Sequence, residues 1–150
     1  MLTSPDFKEL LSILEKHKVR YLVVGGYAVM KYTEPRFTKD LDLWIATDEK
    51  NSEAVFAALK EFGAPLKDLT PADFRQEGYF YQMGNPPLRL DVMMSLPGVT
   101  FEGAWAHREQ VQVEGLVIPF ISKTDLIRTK EASGRDQDLI DAKKLRKAGS

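Results

Sequence analysis

The chain has 150 residues, 43% hydrophobic and 29% charged, the size and balance of a globular domain with one core, so residues 1–150 are expected to form a single domain. A net charge of −1 gives no broad phosphate-binding surface, and the lack of cysteine excludes a disulfide framework, a thiol nucleophile and a thiolate zinc site. No basic-then-apolar leader opens the sequence and no apolar run approaches the ~18 residues of a membrane span, so a cytoplasmic protein with no membrane partner is expected.

Pro5 and Asp6 open an amphipathic stretch in which Phe7, Leu10, Leu11 and Leu14 recur at helical spacing, predicting a helix over about 5–17. Val19 to Val24 is short, β-branched and apolar, the pattern of a buried strand. It stops at Gly25-Gly26, and Tyr27 to Tyr32 has the spacing of a short helix. Thr33 to Lys39, with Pro35, reads as a loop. Asp40 to Thr47 alternates acidic and apolar residues as a second strand does, running into the helix start Thr47-Asp48-Glu49. Asn51 to Phe62 is helical, with Val55, Phe56 and Leu59 on one face and Gly63 as the stop.

After Pro65 the pattern weakens until Gly78 to Met83 and Leu88 to Ser95, two strands of a hairpin around Gly84-Asn85-Pro86-Pro87. Phe101 to His107 suggests a short helix, and Gln110 to Ile121 two strand-like runs broken at Glu114-Gly115. Ser122-Lys123-Thr124-Asp125 has capping-box spacing, and the rest reads as two helices parted near Gly134. The whole predicts an α+β fold, a mixed sheet flanked by helices, with about 122–150 a C-terminal helical segment packed on it. From Ser122 onward eight positive residues face five negative ones, which reads as a solvated helical face with ion pairs.

The chemistry rests on carboxylates. The two histidines, His17 and His107, have no metal-motif spacing and read as structural, so any metal is held by oxygen, favouring magnesium or manganese. On a strand, residues two apart point to one face about 6.5–7 Å from each other, so Asp40 and Asp42 project together while Leu41 and Leu43 point the other way. Taken alone, the pair is better explained by two solvated acids on an edge strand. Three neighbours favour a metal site: Gly25-Gly26, where the backbone can approach a phosphate and helix amides can meet it; Arg36 and Thr38, which suit phosphate oxygens; and Asp91, an acid between apolar residues in Arg89-Leu90-Asp91-Val92-Met93. Such a set suits phosphoryl or nucleotidyl transfer, in which two cations clamp the attacking and leaving oxygens and no protein nucleophile is required. Exposed aromatics among Tyr79, Phe80, Tyr81 and Trp105 suit either base stacking or packing, with core packing the reading for most of them.

The run Val23-Val24-Gly25-Gly26-Tyr27-Ala28-Val29 followed by Arg36-Phe37-Thr38-Lys39-Asp40-Leu41-Asp42-Leu43 resembles the nucleotidyltransferase fold of the DNA polymerase beta superfamily. The chain is most similar to small bacterial and archaeal nucleotidyltransferase-like proteins and to abortive-infection-type toxins, whose C-terminal Lys…Arg-x-x-Asp-x-x-Asp segment reads here as Lys130, Arg135, Asp138 and Asp141. The resemblance implies catalytic metal ligation (Mg2+ or Mn2+) by Asp40, Asp42 and Asp91, and nucleotide contacts from Gly25, Gly26, Arg36, Thr38, Lys130 and Asp138, with Asp141 structural. Gly-Gly replaces the Gly-Ser of many superfamily members, so a serine hydroxyl on the phosphate is missing, and 150 residues leave no room for an appended acceptor domain.

The function expected from these residues is metal-dependent transfer of a nucleoside monophosphate from a nucleoside triphosphate such as ATP to a hydroxyl of RNA (tRNA, for example), a protein or a small molecule. The alternative is a catalytically inactive nucleotide-binding or regulatory module. A toxin–antitoxin component acting with a partner protein is a third reading.

Overall fold

The computed structural model describes residues 5–35, 40–84 and 89–148. In chain order these form α1 (Pro5–Lys16), β1 (Tyr21–Val24), α2 (Gly25–Tyr32), β2 (Asp40–Ile45), α3 (Glu49–Phe62), a 3-10 turn (Pro71–Arg75), β3 (Phe80–Met83), β4 (Arg89–Met93), α4 (Phe101–Ala106), β5 (Glu109–Val113), β6 (Leu116–Phe120), α5 (Lys123–Ser133) and α6 (Asp136–Lys147). The strands build one six-stranded sheet ordered β3-β4-β2-β1-β6-β5. Pairs β1–β2, β3–β4 and β5–β6 are antiparallel, whereas β1–β6 and β2–β4 are parallel, so the sheet is mixed and the fold is α+β.

Local sequence accounts for most of these elements. The four residues of β1, Tyr21 to Val24, are all buried, as a strand between two neighbours and under helices must be. In α1 the residues Phe7, Leu10, Leu11 and Leu14 bury one stripe, which packs on α3 and β6. Asp48 accepts from Asn51 N to cap α3, and Gly63, at φ 92°, closes it in the left-handed conformation. The β5–β6 hairpin turns at Glu114 and Gly115, both at positive φ (48° and 86°), as a two-residue turn that matches the right-handed twist of its strands demands. Gly134, at φ 70°, parts α5 from α6.

Some boundaries move. β1 starts at Tyr21 instead of Val19, because Lys18 at φ 56° ends the α1 turn and Val19 N bonds back to Leu14 O. α2 begins at Gly25 itself, so the glycine pair is the first turn of the helix and not a linker before it. β2 stops at Ile45, where Asn51 takes over the neighbouring backbone. The unreadable stretch after Pro65 contains a 3-10 turn with a reciprocal Thr70–Asp73 capping box, anchored by the buried Phe74 against Phe56 and Tyr81. The hairpin residues 85–88 lie outside the described residues. Among the described residues no helix is long and apolar enough to cross a membrane.

Asn51 ties three elements together. Its Oδ1 accepts from Arg20 N at 2.7 Å and its Nδ2 donates to Arg20 O at 3.0 Å and Ala46 O at 2.8 Å, so one side chain fixes the start of α3 to the chain entering β1 and leaving β2. It is 4% exposed. Asn51→Ala takes the side-chain partner from the Arg20 amide and the Ala46 carbonyl, while Arg20 O keeps Ala46 N, and is expected to lower the unfolding free energy by about 2 kcal/mol in urea titration, with the midpoint moving and the slope unchanged.

Candidate active site

Strand pairing, not sequence proximity, assembles the acids. Parallel register between β2 and β4 sets Asp42 beside Asp91, with Leu41 beside Leu90 and Leu43 beside Val92. The apolar residues of that alternation are all buried, so the carboxyls take the opposite face. Adjacent strands lie only about 4.8 Å apart, so Asp42 and Asp91 are forced into contact. Asp40 stands two residues earlier on the same face, beside Arg89. Across the other edge of β2, Val24 pairs with Asp42, which brings the start of α2 over the acid.

Gly25 has two reasons to be glycine. Its φ is +69°, and a Cβ built there would lie 1.9 Å from Asp42 Oδ2. The backbone at the N-terminus of α2 therefore rests directly on the carboxyl, and no side chain fits between them.

This crowding dictates the electrostatics. Burial first, then a hydrogen bond with Asp91 and the charges of Asp91 and Asp40, push the Asp42 carboxyl up to about 7, with Arg89 opposing. Asp91 Oδ1 also accepts from Gln82 Nε2 at 2.8 Å and lies 3.5 Å from Arg89 Nε. Asp40 acts through its charge, which adds to burial in raising the Tyr27 hydroxyl.

The opposite wall comes from α5 and α6. Lys130 Nζ is held 3.1 Å from Asp138 Oδ1 and 3.3 Å from Asp141 Oδ2. Asp138 Oδ2 accepts from Ser133 Oγ at 2.6 Å and Arg135 Nε at 2.9 Å, and Gln137 Nε2 donates to Asp141 Oδ1 at 3.1 Å. Burial works against ionisation of Asp138, but the bonds from Ser133, Lys130 and Arg135 outweigh it and hold the carboxyl below its ordinary range.

The structure brings Gly25, Gly26, Asp40, Asp42, Asp91, Lys130 and Asp138 to one cleft of about 530 Å³. Arg36 and Thr38 lie outside the described residues. Lys130 does not point freely into the cleft, because Asp138 and Asp141 bind it. Among the described residues no three His, Asp or Glu side chains stand together at metal-ligand spacing; Asp42 and Asp91 are in contact, and Asp40 is set apart along the strand. Both histidines pair with acids away from these carboxyls, His17 with Glu61 and His107 with Asp125. Sequence reasoning missed Gln82, Ser133 and Gln137. The sequence predicts the hairpin of Gly78 to Met83 with Leu88 to Ser95 but not its register, so Gln82 facing Asp91 emerges only from the pairing.

A match over residues 5–147 places the chain in the family described as "Nucleotidyltransferase of unknown function (DUF6036)", and the chain belongs to that family. Its fold is that of nucleotidyltransferases. The structure is similar to that of the lincosamide antibiotic adenylyltransferase LnuA with lincomycin bound, at 17% identity, covering 97% of both chains with a TM-score of 0.55. It is also similar to TM1012 from Thermotoga maritima, at 18% identity over 93% of this chain and 88% of that one, TM-score 0.57. An antigenic nucleotidyltransferase-like protein from Paracoccidioides brasiliensis matches at 18% identity over 93% of this chain and 74% of that one, TM-score 0.51. No curated protein matches the chain in sequence.

The raised Asp42 carboxyl makes a stability prediction with a definite sign. The folded chain binds a proton that the unfolded chain releases near the ordinary 3.8, so stability falls as pH rises from there through about 7. In chelator-treated protein, Asp42→Asn is expected to be more stable than wild type by roughly 2 kcal/mol at pH 8, with the gain shrinking toward pH 5, as read by urea unfolding at both pH values.

Proposed function

We propose that this protein is a divalent-metal-dependent nucleotidyltransferase that moves a nucleoside monophosphate from a nucleoside triphosphate to a hydroxyl acceptor. The observation that carries the reading is the in-register contact of Asp42 and Asp91 under the Gly25 backbone. Two carboxylates forced together on a half-buried face need either a proton or a cation, and an all-oxygen donor set suits a hard ion. The residues therefore fit magnesium or manganese, which Asp40, Asp42 and Asp91 would hold. When bound, such ions supply charge neutralisation at the attacking and leaving oxygens.

The chain's own groups do the rest. Gly25 and Gly26 expose the first amides of α2, the positive end of an eight-residue helix, where the leaving pyrophosphate is anionic. The acceptor oxygen bonds to the α-phosphorus as the bond from that phosphorus to the β-phosphate bridging oxygen breaks, and pyrophosphate departs with the electron pair. Asp91 takes the acceptor's proton, its carboxyl steadied by Gln82 and Arg89. Lys130 leaves the Asp138–Asp141 clamp to meet the triphosphate, and Asp138 stays bound to Ser133 and Arg135 at the nucleotide's edge. Arg36 and Thr38 serve as the further phosphate contacts in this reading.

A nucleotide-binding module without turnover is the second reading, and the capture of Lys130 by two acids favours it. Transfer of label from α-labelled nucleotide in Mg2+ or Mn2+ to candidate RNA, protein and small-molecule acceptors decides between them. Turnover is expected in wild type, with a loss of at least about 100-fold in Asp42→Ala and in Gly25→Ala, whose added methyl displaces the acid. Nucleotide binding without transfer to any acceptor class would favour the module, and transfer indifferent to Asp42→Ala would rule out the metal site.

A further inference from the structure

The face of the sheet that carries the acids continues past them onto an apolar shelf. In the antiparallel register of β3 and β4, Gln82 faces Asp91 and Phe80 faces Met93, so Phe80 is the diagonal neighbour of Asp91, about 7–8 Å away on the same face. Phe80 is 65% exposed and the adjacent Tyr79 61%, the two most exposed large hydrophobic residues described. Both line the acid cleft, together with Met93, Leu96 and Pro97. Two neighbouring rings left in water at the mouth of a polar site mark a binding surface more than ordinary surface composition.

Position along the cleft says which substrate the shelf meets. Across the sheet the order is Gly25 at the start of α2, Asp42 on β2, Asp91 on β4 and Phe80 on β3. In-line displacement sets the attacking group opposite the leaving group. With pyrophosphate over Gly25 and Gly26, the attacking hydroxyl enters from the Asp91 side, and the rest of the acceptor lies on the shelf. Charge narrows the class further. Among the described residues the basic side chains lining the cleft are Arg89, Lys130 and Arg135, and each is bonded to an acid: Asp91 for the first, Asp138 for the other two. Among the described residues the Phe80 end thus presents rings and a thioether but no cation for a phosphate backbone.

Resting on the nucleotidyl-transfer reading, we infer that Phe80 and Tyr79, with Met93, Leu96 and Pro97, form the acceptor subsite, which takes a small hydroxylated molecule bearing a planar or apolar ring. The ring stacks on Phe80 while the hydroxyl reaches Asp91. A cleft of about 530 Å³ has room for such a molecule beside part of a nucleotide.

Phenyl and methyl β-D-glucoside share their hydroxyls and differ in the ring alone, so they serve as probes in saturation-transfer NMR with wild-type protein, Mg2+ and α,β-methylene-ATP. The phenyl glycoside is expected to bind about tenfold more tightly than the methyl one, a preference lost in Phe80→Ala and kept in Phe80→Trp. Unchanged melting temperatures, expected for so exposed a position, would show that the variants fold. Equal binding of the two glycosides, or ring preference indifferent to Phe80→Ala, would overturn the subsite alone. A fall in α,β-methylene-ATP affinity in Phe80→Ala would assign the shelf to the donor base and overturn the acceptor assignment. Phe80-dependent binding of a short oligoadenylate in preference to the glycoside would overturn the small-molecule class. Failure of α,β-methylene-ATP to bind wild type would remove the nucleotidyl-transfer reading and this inference with it.

Discussion

The contact between Asp42 and Asp91 is the constraint around which the acidic half of the molecule is arranged. Parallel pairing of β2 with β4 brings the two carboxyls together, and the leucines and valine that alternate with them hold the register, because a one-residue slip would turn the acids into the core. Pairing of β1 with β2 then carries α2 over the same point, and Gly25 is the residue that allows its backbone to rest on Asp42. Gln82 and Arg89 approach Asp91 from the other side. Each of these is a local consequence of one strand order, and together they concentrate negative charge where nucleotidyl transfer would use cations.

Against that acidic floor stands a wall that is closer to neutral. Lys130 and Arg135 are matched with Asp138 and Asp141, and Ser133 and Gln137 add hydrogen bonds to the same two carboxyls. Removing one member of such a buried pair leaves its partner's charge uncompensated, so the cluster holds the two C-terminal helices in fixed relation. It also keeps Lys130 withdrawn from the cleft. A triphosphate with its ions offers the lysine a stronger partner than two carboxylates already sharing other donors, which makes its release part of nucleotide binding in the proposed reaction.

Much of this was legible before any coordinates. Alternation along Asp40-Leu41-Asp42-Leu43 showed which side chains share a face, the apolar run before Gly25 gave the buried strand, and the isolated Asp91 between Leu90 and Val92 stood out as the third acid. Pairing was beyond reach. Nothing in the local pattern says that β4 lies beside β2 or that β1 is antiparallel to it, since parallel register depends on contacts distant in sequence. The Gln82–Asp91 bond lies within the expected β3–β4 hairpin, but the register that pairs these two residues is not given by the local pattern, and Phe80 stands in the sequence only as one aromatic among several. The 3-10 turn at Pro71–Arg75 escaped because its capping box is built in five residues with one buried side chain, too short for periodicity to register.

The account stands on the acids binding a divalent cation as a unit. Mn2+ titration of the protein without nucleotide, followed by electron paramagnetic resonance, measures that directly, because free Mn2+ gives the strong signal and bound ion removes it. Wild-type protein is expected to take up Mn2+, and Asp42→Asn and Asp91→Asn each to lose at least about tenfold in affinity. Equal uptake by wild type and both variants would contradict the assignment of the Asp42–Asp91 contact as the metal site.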